Sequence, residues 1–382
     1  MYRILTIIFI FCAASACTTP IKYNVKLQQN AYQLNHELVL ERKINQGSIE
    51  SLIPIPSSNE LLANTNLGSE FINDQGKVTS VYNQQSGDLD TYKSTRLLAH
   101  KIVGDQLILS YQNQVATLGL PNNELVTKLE KPENSKPAIS AAISPNGHYA
   151  LAFGYLWDLN TQQKLDFFKP DDLIFNQSIN AEFSPDNRYL VITLNLVSET
   201  KVQLWDLQAN KLQKTWTLGG LAYVMFSPNS KTMLFNIYKR DYSNISQPQL
   251  VIYDVATQSE TGTIKFSSDL ATDPVIIDDE HIVTAHTNGD IHVWSYQKFN
   301  ADHSFRGDSA ALTMVKDANG RVWCGLDNKK LLVIHNGQFS LVHTFKTDIR
   351  HIAVLNNKLA VETFDQNVPP IRFYDIQPLQ PH

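Results

Sequence analysis

The sequence predicts an all-β chain assembled from short repeats, and three observations carry that prediction. First, "ISPNGHYALAF" from Ile143, "FSPDNRYLVIT" from Phe183 and "FSPNSKTMLFN" from Phe226 repeat one pattern. Recurrence at a period of about forty residues marks a repeat architecture. Second, each stretch is followed by an apolar run that ends in an aromatic residue and Asp: Trp157-Asp158, Trp205-Asp206 and Tyr253-Asp254. Third, short apolar runs alternate with turn-forming residues, and no long helical periodicity intervenes, which is the pattern of strands and tight turns. The chain has 382 residues, 43% hydrophobic and 18% charged. That is ordinary globular composition, and the length exceeds one compact core unless the fold is repetitive or closes on itself. The formal net charge of −5 and the absence of a Lys/Arg cluster exclude nucleic acid as the expected partner.

The chain begins "MYRILTIIFIFCAASACTTP". Arg3, an apolar run and small residues reproduce the layout of an export signal. The run is shorter than the roughly 20 apolar residues a spanning helix needs. "ASAC", ending at Cys17, resembles the bacterial lipobox, although Ala14 stands where that pattern prefers Leu. The resemblance implies a signal peptide over 1–16 and acylation of Cys17, with Thr18 pointing to the outer membrane. Cleavage by the ordinary signal peptidase, giving a soluble periplasmic protein, is the alternative. Residues 17–30 are then expected as a tether and residues 31–382 as one domain. Cys12 leaves with the signal, so Cys324 is expected as a lone, buried, unreactive thiol.

Within the domain each unit reads as four strands. Ser-Pro turns join the first strand to the second, since Pro sets φ and Asn or Gly accepts the left-handed conformation. The third strand ends in the aromatic anchor. In register with Trp157, Trp205 and Tyr253 we place Trp294, His335 and Tyr374 downstream, and Tyr82 and Leu118 upstream. Eight third strands give eight blades; a misassigned Tyr82 or Leu118 leaves seven. The units resemble WD40 repeats, and the "FSPD" turn is shared with propellers of the TolB and dipeptidyl-peptidase type. The resemblance implies an eight-bladed β-propeller whose anchors pack between blades. The WD40 Gly-His dipeptide is absent, and Asn288 stands where its turn Asp is expected, so the buried hydrogen-bond network of that family is expected to be incomplete. The last unit supplies only three strands. The alternating stretch "YQLNHELVLERKI" from Tyr32 is expected to add the fourth and close the ring.

Chemistry is sparse. His281, His286 and His292 suggest a metal cluster, but a two-residue Asn288-Gly289 turn would send His286 and His292 to opposite faces and leave His281 on the face of His292, about 13 Å further along. No metal site is expected. There is no Gly-x-Ser-x-Gly elbow, Walker motif or dinucleotide fingerprint, so no cofactor is expected either. Two segments read as long second-to-third-strand loops: "NLGSEFINDQGK" near Phe71, and Tyr238 to Gln249. The second carries Lys239, Arg240, Tyr242 and Asn244, the candidate partner-binding residues, because Arg and Tyr anchor interfaces. The expected function is a lipid-anchored, periplasm-facing scaffold that docks an envelope protein and performs no chemistry. Its architecture resembles the accessory lipoprotein of the outer-membrane β-barrel assembly machinery, whose repeat motif this sequence lacks. The alternative is an envelope hydrolase or carbohydrate-binding protein with its site at the central channel.

Overall fold

The computed structural model describes residues 21–29, 32–40, 48–82, 96–133, 140–165, 178–196, 199–238, 247–364 and 370–378. These residues form eight antiparallel sheets arranged as the blades of a closed β-propeller. Blades 1 to 7 span residues 49–82, 97–130, 142–165, 178–218, 221–265, 275–306 and 311–344. Blade 8 takes three strands from 349–378 and its outermost strand, Tyr32–Leu40, from the start of the domain. That strand pairs antiparallel with Ile371–Pro378, from Tyr32↔Pro378 to Leu40↔Ile371. The ring therefore closes as the sequence predicts.

Eight apolar clusters hold the ring, one between each pair of neighbouring blades. One position of the third strand reaches the preceding blade in every case. It is filled by Leu118, Trp157, Trp205, Tyr253, Trp294 and Tyr374, as expected. Two expected anchors are corrected. In blade 1 the residue is Ile72, on the strand Gly68–Asn73, while Tyr82 ends the fourth strand. In blade 7 it is Ile334, opposite Val322, and His335 follows it. The count of eight survives because Gly68–Asn73 fills the place assigned to Tyr82. The same strand removes the expected long loop near Phe71, which is buried, since the turn before it is only Asn66-Leu67. Trp205 is half-buried where Trp294 is 4% exposed, so the anchors do not contribute equally.

The repeated Ser-Pro turns explain why one pattern recurs. Ser144, Ser184 and Ser227 are fully buried. Each hydroxyl donates to the side chain two residues on and accepts the backbone N–H five residues on, at 2.8 Å for Tyr149 and Tyr189 and 3.0 Å for Thr232. The fourth turn residue, Gly147, Asn187 or Ser230, has a φ of 71°, 63° or 62°, the region Gly and Asn enter most readily. Each turn also bonds the next blade. The Asn146 N–H donates to Asn187 Oδ1 at 2.8 Å, the Asp186 N–H to Ser230 Oγ at 2.9 Å, and the Asn229 N–H to Asp279 Oδ1 at 2.7 Å. The motif thus stitches blades 3 to 6 together along one face.

The described part of the N-terminal segment, residues 21–29, packs on the ring. Ile21 packs on the cluster between blades 5 and 6, and Val25 and Leu27 on that between blades 6 and 7. Asn24 Nδ2 donates to the Asp302 carbonyl at 2.8 Å and Asn24 Oδ1 accepts the Ser304 N–H at 2.8 Å. The Tyr23 hydroxyl donates to Asp290, and the Arg306 guanidinium lies 3.9 Å from the Tyr23 ring centroid. Gln28–Gln29 then adds a fifth, parallel strand to blade 7 beside Ser340 and Leu341. Residues 21–29 are a strap against blades 5 to 7.

Candidate functional site

The central channel carries a notch of about 550 Å³, lined by the inner strands of blades 2, 3 and 4 with Tyr223 of blade 5. Strand pairing explains the notch. Lys101 pairs with Ile108, Ala142 with Leu151 and Glu182 with Val191, which puts the three residues at one register in consecutive blades. Blade 3 lines it with Ser140, Ala141, Ala142, Ile143 and Pro145, and has the small Ala142 at that register. A small residue between two long ones leaves a gap with Lys101 on one wall and Glu182 on the other. Asn180, two residues further from the Ser-Pro turn than Glu182, also faces the gap, and Pro145 and Pro185 bound it at the turns.

Burial pushes the Glu182 carboxyl up to about 7, with the Lys101 charge opposing. His100 lies open to the lumen yet is ringed by protein; burial, then Lys101, pulls it down to about 4, so it is neutral at pH 7. Burial raises the Tyr223 phenol, with Glu182 and Asp273 adding to the shift. A folded chain that holds a proton on Glu182 between pH 4.5 and about 7, where the unfolded chain has released it, loses stability as pH rises through that window. Glu182→Gln is neutral at every pH. It is expected to match the parent below pH 4.5 and to exceed it by about 1–2 kcal/mol at pH 8, after allowing for water in the channel. Urea unfolding at the two pH values measures the difference, and an equal offset at both would refute the assignment.

The histidines of blade 6 correct the sequence reading. The turn is three residues long, Thr287-Asn288-Gly289, with Gly289 at φ 89°. Ala285 therefore faces Ile291 and Thr284 faces His292, one step from the expected register. His286 and His292 share a face, with ring centroids 5.1 Å apart, and His281 lies on the other. A one-residue slip inverts every face, which is why the turn length decided the outcome. Both rings are committed to internal bonds. His286 Nε2 meets Thr284 Oγ1 at 2.9 Å, His292 Nδ1 meets Ser304 Oγ at 2.9 Å, and Trp294 Nε1 donates to Thr284 Oγ1 at 2.7 Å. Burial lowers His286 and brings His292 to about 4. Blade 6 thus owns a buried Trp-Thr-His chain although the sequence lacks the Gly-His dipeptide. His281 sits between Asp278 and Asp302, at 3.0 and 3.3 Å. Among the described residues no group of three or more His, Cys, Asp or Glu is placed to hold a metal ion. Cys324 is buried in the cluster between blades 6 and 7, which pushes its thiol up to about 12.

Cys17 and the candidate partner-binding residues Lys239, Arg240, Tyr242 and Asn244 lie outside the described residues. The ends of their loop are placed. Tyr238 closes the second strand of blade 5 and Gln249 opens the third, so the loop is a second-to-third-strand connection, as expected. Tyr238 pairs with Leu221 of the inner strand, and its phenol, raised to about 12 by burial and then by Asp273, accepts from Asn236 Nδ2 at 2.6 Å. The loop therefore springs from the inner part of the blade. The notch was missed in the sequence, although a lone Glu sits just before "FSPD", at the register where blades 3 and 5 carry Ala142 and Met225.

No family profile and no curated protein sequence matches the chain. Solved structures do. The C-terminal WD40 domain of Sif2 is 12% identical, with 92% of this chain and 99% of that one aligned at a TM-score of 0.66. The computationally designed Ika8 protein is 13% identical, over 88% and 98%, at 0.63. BamB from Moraxella catarrhalis is 13% identical, over 90% and 99%, at 0.54. At these identities the likeness is one of fold, and the chain is an eight-bladed β-propeller of the architecture that WD40 and BamB structures share.

Proposed function

We propose that this propeller is a scaffold of the bacterial cell envelope, held to the membrane by lipid on Cys17, facing the periplasm and docking another envelope protein without chemistry of its own. The observation that carries the reading is how few residues separate Cys17 from the ring. Only residues 18–20 separate Cys17 from Ile21, which packs on blades 5 and 6. The four extended steps from Cys17 to Ile21 reach at most about 14 Å. A lipid on Cys17 would therefore hold this rim close to the bilayer surface instead of letting the ring swing on a long leash. The likeness in fold to BamB supports an envelope setting, and rigid loops on a closed ring suit docking.

Fractionation tests the anchor: Cys17→Ala moves the protein from the membrane pellet to the soluble fraction. Sedimentation of that variant with the membrane would remove the lipid from the proposal. Crosslinking in native envelopes tests docking. Arg240→Ala with Tyr242→Ala is expected to reduce partner capture, since such anchors contribute roughly 2 kcal/mol or more, and to shift the melting temperature by only a few degrees. Unchanged capture would put the docking surface elsewhere.

A further inference from the structure

We propose that the channel notch at blade 3 is a binding site for a neutral, polyhydroxylated molecule of mono- or disaccharide size. The reading goes beyond the scaffold and does not depend on the anchor.

The volume of about 550 Å³ lies within the range of small-molecule sites, roughly 300–1,000 Å³. The walls from blades 2 and 4 are inner strands in paired register, the blade 3 wall is the short strand Ala142–Ile143 with Ser140 and Ala141 before it, and the gap exists because Ala142 stands between Lys101 and Glu182. Each wall offers half of a hydrogen-bonding repertoire. The Lys101 ammonium only donates, the Glu182 carboxylate only accepts, and Asn180 and Ser140 do both. Adjacent hydroxyls, each able to donate and accept, satisfy such a set. At pH 8, where Glu182 is ionised, its charge and that of Lys101 nearly cancel, which favours neither a cation nor an anion. Ala141, Ala181 and Leu98 supply the apolar surface that the C–H face of a sugar covers.

Glu182 also sets the pH response. The groups that bear on it are Lys101 from blade 2, with His100 beside Lys101, and Tyr223 from blade 5, itself near Tyr238 and Asp273. Ligand hydroxyls that donate to the carboxylate replace the water it loses on burial and so favour its ionised form. Binding then releases a proton, and affinity rises with pH across about 7. Among the described residues lining the notch Glu182 is the sole carboxylate.

Isothermal titration of the full chain with maltose, cellobiose and diacetylchitobiose tests this. At least one is expected to bind with a millimolar or tighter Kd at pH 8. It should bind about 10-fold more weakly at pH 6, with proton release on binding. Glu182→Gln should weaken binding at pH 8 and abolish its pH dependence, and Lys101→Met should weaken it about 10-fold, both with melting temperatures near the parent. Absence of binding by all three sugars at pH 8 overturns the proposal. So does binding that survives Glu182→Ala combined with Lys101→Met in a folded chain, or gluconate binding more tightly than the neutral sugars.

Discussion

A chain that starts at Glu41 is expected to lose its cooperative thermal transition and to elute from a sizing column as aggregate. Removing residues 32–40 takes away the outer strand of blade 8 and exposes the edge of Ile371–Pro378 along its length. An unpaired edge of that kind recruits other chains. The same deletion strips Tyr32 and Leu34 from the cluster between blades 7 and 8, and Leu40 from that between blades 8 and 1. It also removes Glu37, which accepts from the Tyr374 hydroxyl at 2.8 Å and pairs with Arg372 at 3.1 Å. A shorter deletion, starting at Tyr32, separates the strap from the closing strand. It forfeits Ile21, Tyr23, Val25 and Leu27 but keeps all eight four-stranded blades, so a folded monomer with a lower melting temperature is expected. If the chain starting at Glu41 stays monomeric and melts near the parent temperature, the closing strand does not hold the ring.

The ring was legible because its repeat is written in side chains that do one job each. Ser-Pro turns and Trp-Asp or Tyr-Asp endings mark blades 3 to 5, and a strand without a blade marks the closure. Legibility failed where the job passed to an unmarked residue. Ile72 and Ile334 fill the anchor position without an aromatic ring, so the sequence pattern points instead to Tyr82, at the end of the following strand, and to His335, the next residue. The blade 6 histidines hinged on one turn residue, which the string "HTNGDIH" does not decide, since Asn-Gly can close a loop of two residues or end a loop of three. The strap looks like any polar leader until Tyr23 is seen between Arg306 and Asp290. The notch is least legible of all. Lys101, Ala142 and Glu182 come from three repeats, and only a register exact to one residue aligns them.

Trp323→Ala is expected to lower stability by about 3–5 kcal/mol, the cost of a large aromatic truncation in a core. Trp323 is fully buried between blades 7 and 8 and lies 5.9 Å from the Tyr32 ring of the closing strand. Its Nε1 donates to Asp317 Oδ2 at 2.9 Å, and the same oxygen accepts from Arg321 Nε at 2.6 Å. The Arg321 guanidinium in turn lies 5.3 Å from the Trp323 ring and 5.4 Å from the Tyr32 ring. Asp317 and Arg321 are 6% and 8% exposed, so this is a buried ion pair that also docks the closing strand. Breaking such a pair from one side strands the other charge. Arg321→Met alone is therefore expected to cost about 3–5 kcal/mol. Adding Asp317→Asn should recover part of that loss. The amide oxygen can keep the backbone N–H groups of residues 319 and 321, which lie 2.9 and 3.0 Å from Asp317 Oδ1 in the parent, but the amide nitrogen then takes the Oδ2 place and cannot accept from Trp323 Nε1. Denaturant unfolding of the single and double variants completes the cycle. Additive losses would mean that the two charges act independently, and the pair would then not be what joins the closing strand to blade 7.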